Sequence, residues 1–370
     1  MSKLGIMICG HGSRAKSAEK EFGLLATGIR KRFPDIPVEH GFLEYSAPNI
    51  HMGLNALVEA GVTEIIAVPG MLFAATHAKN DIPSVLTTFQ EKTPGVTVKY
   101  GRELGLHPQM IAAFEARILQ ALEKDHVHDG DLYDTMLVVV GRGTSDTLAN
   151  AEAARLTRIV AENLGFGWSE TVYSGVTYPS VGRGLEMAQK LGFKKIVVAP
   201  YFLFTGRLID RIYGYVDRVA AASPDVQFLK AGYLRDQDHV IDTFLERISE
   251  ARHSKLSQSN DLMASFKERH ARGEVDVHHH HAEFRDPLDD DAPGVADHEH
   301  GNGHDHQHGH DHDHQHGHGH GHGHSHGVYR HIAHPHGPRT MIDENVCCCF
   351  MSQFPQDVID DERALREKNG

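Results

Sequence analysis

Short apolar runs alternate with amphipathic helical patterns along the first 250 or so residues, and the alternation passes through the chain twice. In the first pass Leu4–Cys9, Val38–Leu43, Glu64–Val68 and Val96–Lys99 have the length and apolar content of buried strands. Between and after them, about Ala15–Phe33, Pro48–Ala60, Asp81–Lys92 and Pro108–Lys124 read as helices. Phe22, Leu25, Ala26 and Ile29, at i, i+3, i+4 and i+7, give the first helix one apolar face. Pro34, Pro48 and Gly61 fall at its and its neighbour's ends, where helix boundaries are expected. The second pass repeats the order, with strands Thr135–Val140, Thr171–Thr177, Lys195–Ala199 and Val226–Leu229. Its helices are about Asp146–Asn163, Pro179–Leu191, Leu208–Ala221 and His239–Arg252. Strand–helix alternation predicts right-handed crossovers and parallel sheets with helices on both faces. The expected fold is α/β: two tandem flavodoxin-like, doubly wound lobes, 1–125 and 131–254, joined by the polar stretch Asp125–Asp131.

The two passes are a repeat at a constant offset of 131 residues, without a gap from about residue 4 to residue 73. Val68-Pro69 answers Ala199-Pro200, Pro48 answers Pro179, and Gly10-His11-Gly12-Ser13 answers Gly141-Arg142-Gly143-Thr144. Three chemically capable residues are lost from the second copy: His11 becomes Arg142, Glu44 becomes Gly175 and His77 becomes Leu208. A duplicated scaffold that keeps polar groups in one copy points to one site on a two-lobed body.

Composition narrows the function. A formal charge of −13 excludes a general nucleic-acid binder, which needs a basic face. No apolar run approaches the ~20 residues of a membrane span. Met1–Cys9 is short and is ended by Gly10-His11-Gly12, so it reads as a first strand rather than a signal peptide. The four Cys are Cys9 and the adjacent Cys347, Cys348 and Cys349, which is no disulfide framework and suits a reducing cytoplasm.

His11 follows the first strand, Glu44 closes the second, and His77 lies in the loop after the third. All three therefore fall at the carboxyl ends of parallel strands, the rim where open α/β sheets bind ligands. Two imidazoles and a carboxylate can hold a borderline divalent metal such as cobalt, nickel, zinc or iron, and can exchange protons near neutral pH. Ser13 as a nucleophile lacks a partnering Asp–His pair. Gly10-His11-Gly12-Ser13 could instead cradle a phosphate at a strand–helix turn, or its glycines simply make a tight turn. Arg14, Arg142 and Arg207 lie on or beside the rim loops and could pair with an anionic substrate, or be ordinary surface charges.

Met7-Ile8-Cys9-Gly10-His11-Gly12-Ser13-Arg14, Gly41-Phe42-Leu43-Glu44 with Ala47-Pro48, Val68-Pro69 with Leu72-Phe73, and His77-Ala78-Lys79-Asn80-Asp81-Ile82-Pro83 resemble the motifs of the class II tetrapyrrole chelatases. The plan of the chain is similar to the long-form sirohydrochlorin cobaltochelatases, with two fused lobes, a His-rich region and a Cys-containing tail. The likeness covers 1–254 well and the rest only in kind. It implies insertion of Co2+ into sirohydrochlorin on the early-cobalt route to cobalamin, with Co2+ as a substrate. By the same likeness His11 and His77 are the catalytic pair and metal ligands, and Glu44 assists. A sirohydrochlorin ferrochelatase serving sirohaem, or a metallochaperone or metal store, are the other readings. The resemblance names sirohydrochlorin and a divalent metal as partners and leaves oligomeric state open, a homo-oligomer included.

Residues 255–340 read as a His-rich, low-complexity linker without a core of its own, and 341–370 as a Cys-containing tail. His304, His306, His308, His310, His312, His314, His316, His318, His320, His322, His324 and His326 alternate with Gly, Asp, Gln or Ser. Such spacing fits no shaped zinc motif and suits capacity: metal loading or buffering, or a solubilising linker. Relatives of the long form can hold an iron–sulfur cluster in a Met-x-Cys-x-x-Cys setting. Here three Cys are adjacent and Met341 stands six residues upstream, so a cluster would need a further ligand. Redox sensing and soft-metal capture are the alternatives for Cys347, Cys348 and Cys349.

Overall fold

The computed structural model describes residues 3–13, 15–144, 146–175, 177–253, 257 and 260–275. Two four-stranded parallel sheets form, in orders β2-β1-β3-β4 and β6-β5-β7-β8. The first contains β1 (Leu4–Gly10), β2 (Val38–Phe42), β3 (Glu64–Pro69) and β4 (Thr97–Tyr100). The second contains β5 (Thr135–Gly141), β6 (Trp168–Tyr173), β7 (Lys195–Pro200) and β8 (Gln227–Lys230). Their helices are α1 (Lys16–Arg32), α2 (Ile50–Glu59), α3 (Ile82–Lys92), α4 (Pro108–Ala121), α5 (Thr147–Leu164), α6 (Val181–Lys190), α7 (Arg207–Ala222) and α8 (Asp238–Arg252). The expected α/β architecture with two doubly wound units is the one observed.

The period-2 alternation of each strand assigns its two faces to different cores. Ile6 and Ile8 of β1 point inward to a shared core with α1, α4, α5, α8 and the inner face of β5 and β7. Met7 and Cys9 point outward to α2 and α3. On the far side Met136, Val138 and Val140 face α6 and α7. The body is thus layered helix–sheet–helix–sheet–helix, and the middle helical layer belongs to both sheets.

That layer shows something the repeat does not. The last helix of each half packs on the other half's sheet: α4 lies on β7 and α5, while α8 lies on β3, β4 and α1. Matching arginines fasten the exchange. Arg247 of α8 donates to Leu104 O at 2.7 Å and Arg117 of α4 donates to Leu234 O at 3.0 Å. Glu21 of α1 adds a further tie, accepting from Thr205 N and from the Tyr233 hydroxyl, each at 2.8 Å. The lobes are sequence repeats but share one central core.

Two expectations need correction. His77 does not lie in a loop: residues His77–Asp81 form a π-helical turn that runs directly into α3. The stretch assigned to a coreless linker from 255 contains a helix, α9 (Leu262–Ala271), capped by the Asp261 side chain accepting from Ala264 N. Its Leu262 and Phe266, one turn apart, are 8% and 0% exposed. They give α9 an apolar stripe against the first lobe's outer core, enough to order a segment whose overall composition is polar. Among the described residues no helix is long and apolar enough to cross a membrane.

Candidate active site

The carboxyl rim of the first sheet is built by continuing the β1–β2 ladder past the strand ends. Leu43 N donates to Gly10 O and Glu44 N to His11 O, both at 2.9 Å, which sets His11 beside Glu44. Gly12 makes this crossing feasible. Its φ is +97°, and a Cβ there would collide with the Glu44 carbonyl. The tight-turn reading of the glycine motif is therefore the one the backbone uses. Ser13 N donates to the buried Ser46 Oγ at 3.0 Å, so the amide a phosphate cradle would need is already taken up inside the loop. β1 lies between β2 and β3, so the turn carrying His77 comes down on the other side of His11, at the point where the crossovers diverge.

His11, Glu44 and His77 converge. One ligand atom from each lies within 4.8 Å of the other two, and all three are partly open to solvent. The imidazole rings meet edge to face, with centroids 4.3 Å apart. Hydrogen bonds fix both tautomers. His77 Nδ1 is 2.6 Å from an Asp81 carboxylate oxygen, and a carboxylate only accepts, so Nδ1 carries a proton and Nε2 is the nitrogen that holds the lone pair in the neutral ring. His11 Nδ1 faces the Gly12 carbonyl at 3.2 Å with the same consequence. A carboxylate behind a ligand imidazole is the arrangement that orients metal-binding histidines elsewhere. The donor set, two nitrogens and one oxygen, suits a borderline divalent ion.

The π-helical turn is anchored on several sides. Ile82 N donates to His77 O, five residues back, which leaves the Ala78 carbonyl without its usual partner. The buried Tyr100 hydroxyl donates there at 3.1 Å, and burial, the main cause, pushes its pKa up and keeps it a donor. Lys79 reaches across to the second lobe and pairs with Asp146, the residue that caps α5 through Leu148 N and Ala149 N.

The second lobe repeats the crossing without the chemistry. Gly175 N donates to Arg142 O at 3.1 Å, Gly143 has φ +80°, and Leu208 sits within α7 where His77 would be. Arg142 is exposed at the gap between the lobes, and it is still surrounded closely enough that desolvation lowers its pKa; Glu44, the opposing influence, raises it. The residue that replaces the second histidine therefore addresses the surviving site electrostatically. Arg207 opens α7 on the rim of the second sheet and is exposed. Arg14 lies outside the described residues, as do the His304–His326 tract and Cys347, Cys348 and Cys349. Cys9 is buried and its thiol is pushed up by burial, so it is a core residue rather than a thiolate ligand.

The sequence reading missed Asp81, Tyr100, Asp146 and Arg269. Asp81 alone had a local signal, since it stands four residues after His77 in a segment expected to become helical. The others come from distant elements.

A duplicated α/β body that, among the described residues, carries one two-imidazole, one-carboxylate group on one rim is the architecture of a two-lobed chelatase. The chain belongs to the CbiX family, whose model matches residues 5–121 and 136–251. It is a chelatase, an enzyme of the lyase class. It is 33% identical over 257 residues to the sirohydrochlorin cobaltochelatase of Priestia megaterium, spanning 69% of this chain and 82% of that one. It is 29% identical over 254 residues to the sirohydrochlorin ferrochelatase of the same organism, spanning 68% and 92%. Among solved structures it resembles SirB from Bacillus subtilis with Fe3+, with TM-score 0.61, 28% identity, 70% of this chain and 99% of that one covered. It also resembles the sirohydrochlorin chelatase SirB from Bacillus subtilis subspecies spizizenii in complex with cobalt, with TM-score 0.58, 26% identity, 68% and 97% covered.

Proposed function

We propose that this enzyme inserts a divalent metal, Co2+, into sirohydrochlorin, on the early-cobalt route to cobalamin. The observation that carries the reading is the convergence of His11, Glu44 and His77, each bringing one ligand atom within 4.8 Å of the other two. Insertion exchanges two pyrrole protons for a dication. Neutral imidazoles can take over part of the metal's hydration shell, and Glu44 offsets its charge. As the metal passes to the macrocycle, the freed imidazoles are well placed to accept the two departing protons near neutral pH. His11 and His77 are thus both metal ligands and bases, and Glu44 is the charge-balancing partner. Sirohydrochlorin is a polycarboxylate. Arg142, Arg207 and Arg14 are the cations proposed to receive its carboxylates, and Arg142 is best supported by its interaction with Glu44.

The cobaltochelatase relative supports cobalt and the ferrochelatase relatives support iron to a similar degree. The ferrochelatase reading draws on relatives of similar coverage, and the donor set suits either ion. Metalation of sirohydrochlorin, followed by its absorption spectrum with Co2+, Fe2+ and Ni2+ at matched free concentrations, separates the readings. A metal store would bind these ions and leave the spectrum unchanged. The highest kcat/KM with Fe2+ would make this the sirohaem enzyme.

A further inference from the structure

We infer that α9, which follows both repeats, belongs to the metal-handling centre: Arg269 is a positioning residue that holds the π-helical turn carrying His77. The inference rests on the metal-handling role proposed above for His77. In an α-helical register the Lys79 carbonyl would receive the N–H of residue 83. That residue is Pro83, which has none. Arg269 donates there from outside the helix, giving one guanidinium N–H to Lys79 O at 2.8 Å and another to Asn80 Oδ1 at 2.6 Å. Arg269 continues the stripe of Leu262 and Phe266 at i+7 and i+4–i+3 spacing, so the packing that seats α9 also aims the guanidinium. The same turn holds Asp81, which fixes the His77 tautomer, and Lys79, which pairs with Asp146 of the second lobe. It is therefore gripped by α9 from outside and by the second lobe from across the gap.

The second lobe supplies an internal control. Position 214, which answers Pro83, is glycine, and α7 runs there as an ordinary helix from Arg207. The π-helical turn and its outside donor occur together at the lobe that keeps the histidines. The family matches end at residue 251, before α9 begins.

The test uses the full-length protein with Arg269→Ala and Asn80→Ala, and Arg272→Ala as a control whose guanidinium pairs with Glu274 beside it. Initial rates are measured with free Co2+ held by a metal buffer, so that tail occupancy is equal in all variants. Loss of a group that orients a ligand histidine typically costs 10–100-fold in metal affinity or activity. For Arg269→Ala we expect KM for Co2+ to rise about tenfold with KM for sirohydrochlorin unchanged, a smaller rise for Asn80→Ala, and none for Arg272→Ala. Independently of turnover, paramagnetic broadening of the His11 and His77 ring-proton signals by Co2+ should require about tenfold more free metal in Arg269→Ala. A lowered melting temperature with KM for Co2+ and the broadening midpoint both unmoved would reduce α9 to a stabilising cover and overturn the proposal. If the wild type fails to metalate sirohydrochlorin, the proposed reaction falls, while the broadening midpoint still decides the role of Arg269.

Discussion

Asp81→Asn isolates the tautomer of His77. The Asp81 side chain is 8% exposed and its oxygen stands 2.6 Å from His77 Nδ1. A hydrogen bond to an ionised partner is worth about 1.5–3 kcal/mol, roughly twice a neutral one. Asparagine preserves the volume but loses the charge, and its amide can turn to donate to Nδ1. That would place the ring proton on Nε2 and remove the lone pair from the site. Losing 1.5–3 kcal/mol of bias toward the productive tautomer corresponds to about a 10–150-fold fall in kcat/KM for metal, at 1.36 kcal/mol per tenfold. Asp81 makes no side-chain capping bond to α3, so any loss of stability should come from the His77 contact and not from the helix start. The assay is initial metalation of sirohydrochlorin against buffered free Co2+, with thermal melts run alongside. Activity within twofold of wild type in a well-folded Asp81→Asn variant would refute the idea that this carboxylate sets the imidazole.

His11→Ala and His77→Ala should each lower metalation by at least ~100-fold, and Glu44→Gln by less, since an amide keeps shape and loses charge; near-normal turnover at saturating metal would remove that residue from the centre. Arg142→Ala should raise KM for sirohydrochlorin with kcat little changed; a collapse of kcat alone would make the second lobe a partner in the chemistry. A chain ending after Val275 keeps α9 and should metalate at the full-length rate with ample cobalt, whereas one ending at Ser257 loses α9 and should need more metal; equal metal dependence of the two would contradict a role for α9. Burial first, then Arg30, holds the His40 imidazole below 6.5, with Glu19 pulling upward. Below that pH the unfolded chain binds more protons on this ring than the native one, so stability should fall as pH drops through 6.5, and His40→Phe should flatten that fall in melts between about pH 7.5 and 5.

Much of the fold is local information. Strand-length apolar runs, helical periodicity and the punctuation at Pro34, Pro48 and Gly61 foretell the elements, and the 131-residue repeat foretells two like units. The three substitutions between the copies single out His11, Glu44 and His77, and topology alone carries them to one rim because parallel strands end on the same edge. Their mutual distance, the tautomers and the grip on the turn are tertiary. Asp81 could be suspected from its spacing, but nothing in the sequence says that Arg269, almost two hundred residues away, donates to the Lys79 carbonyl. The exchange of α4 and α8 is likewise silent in the repeat: an amphipathic helix records that it buries one face, and not against which sheet. Composition misled over 260–275 for the opposite reason. It averages over the polar tract, while α9 meets the first lobe through Leu262, Met263, Phe266 and Arg269. Sequence determined the parts and which rim keeps the chemistry; long-range packing decided how that chemistry is held.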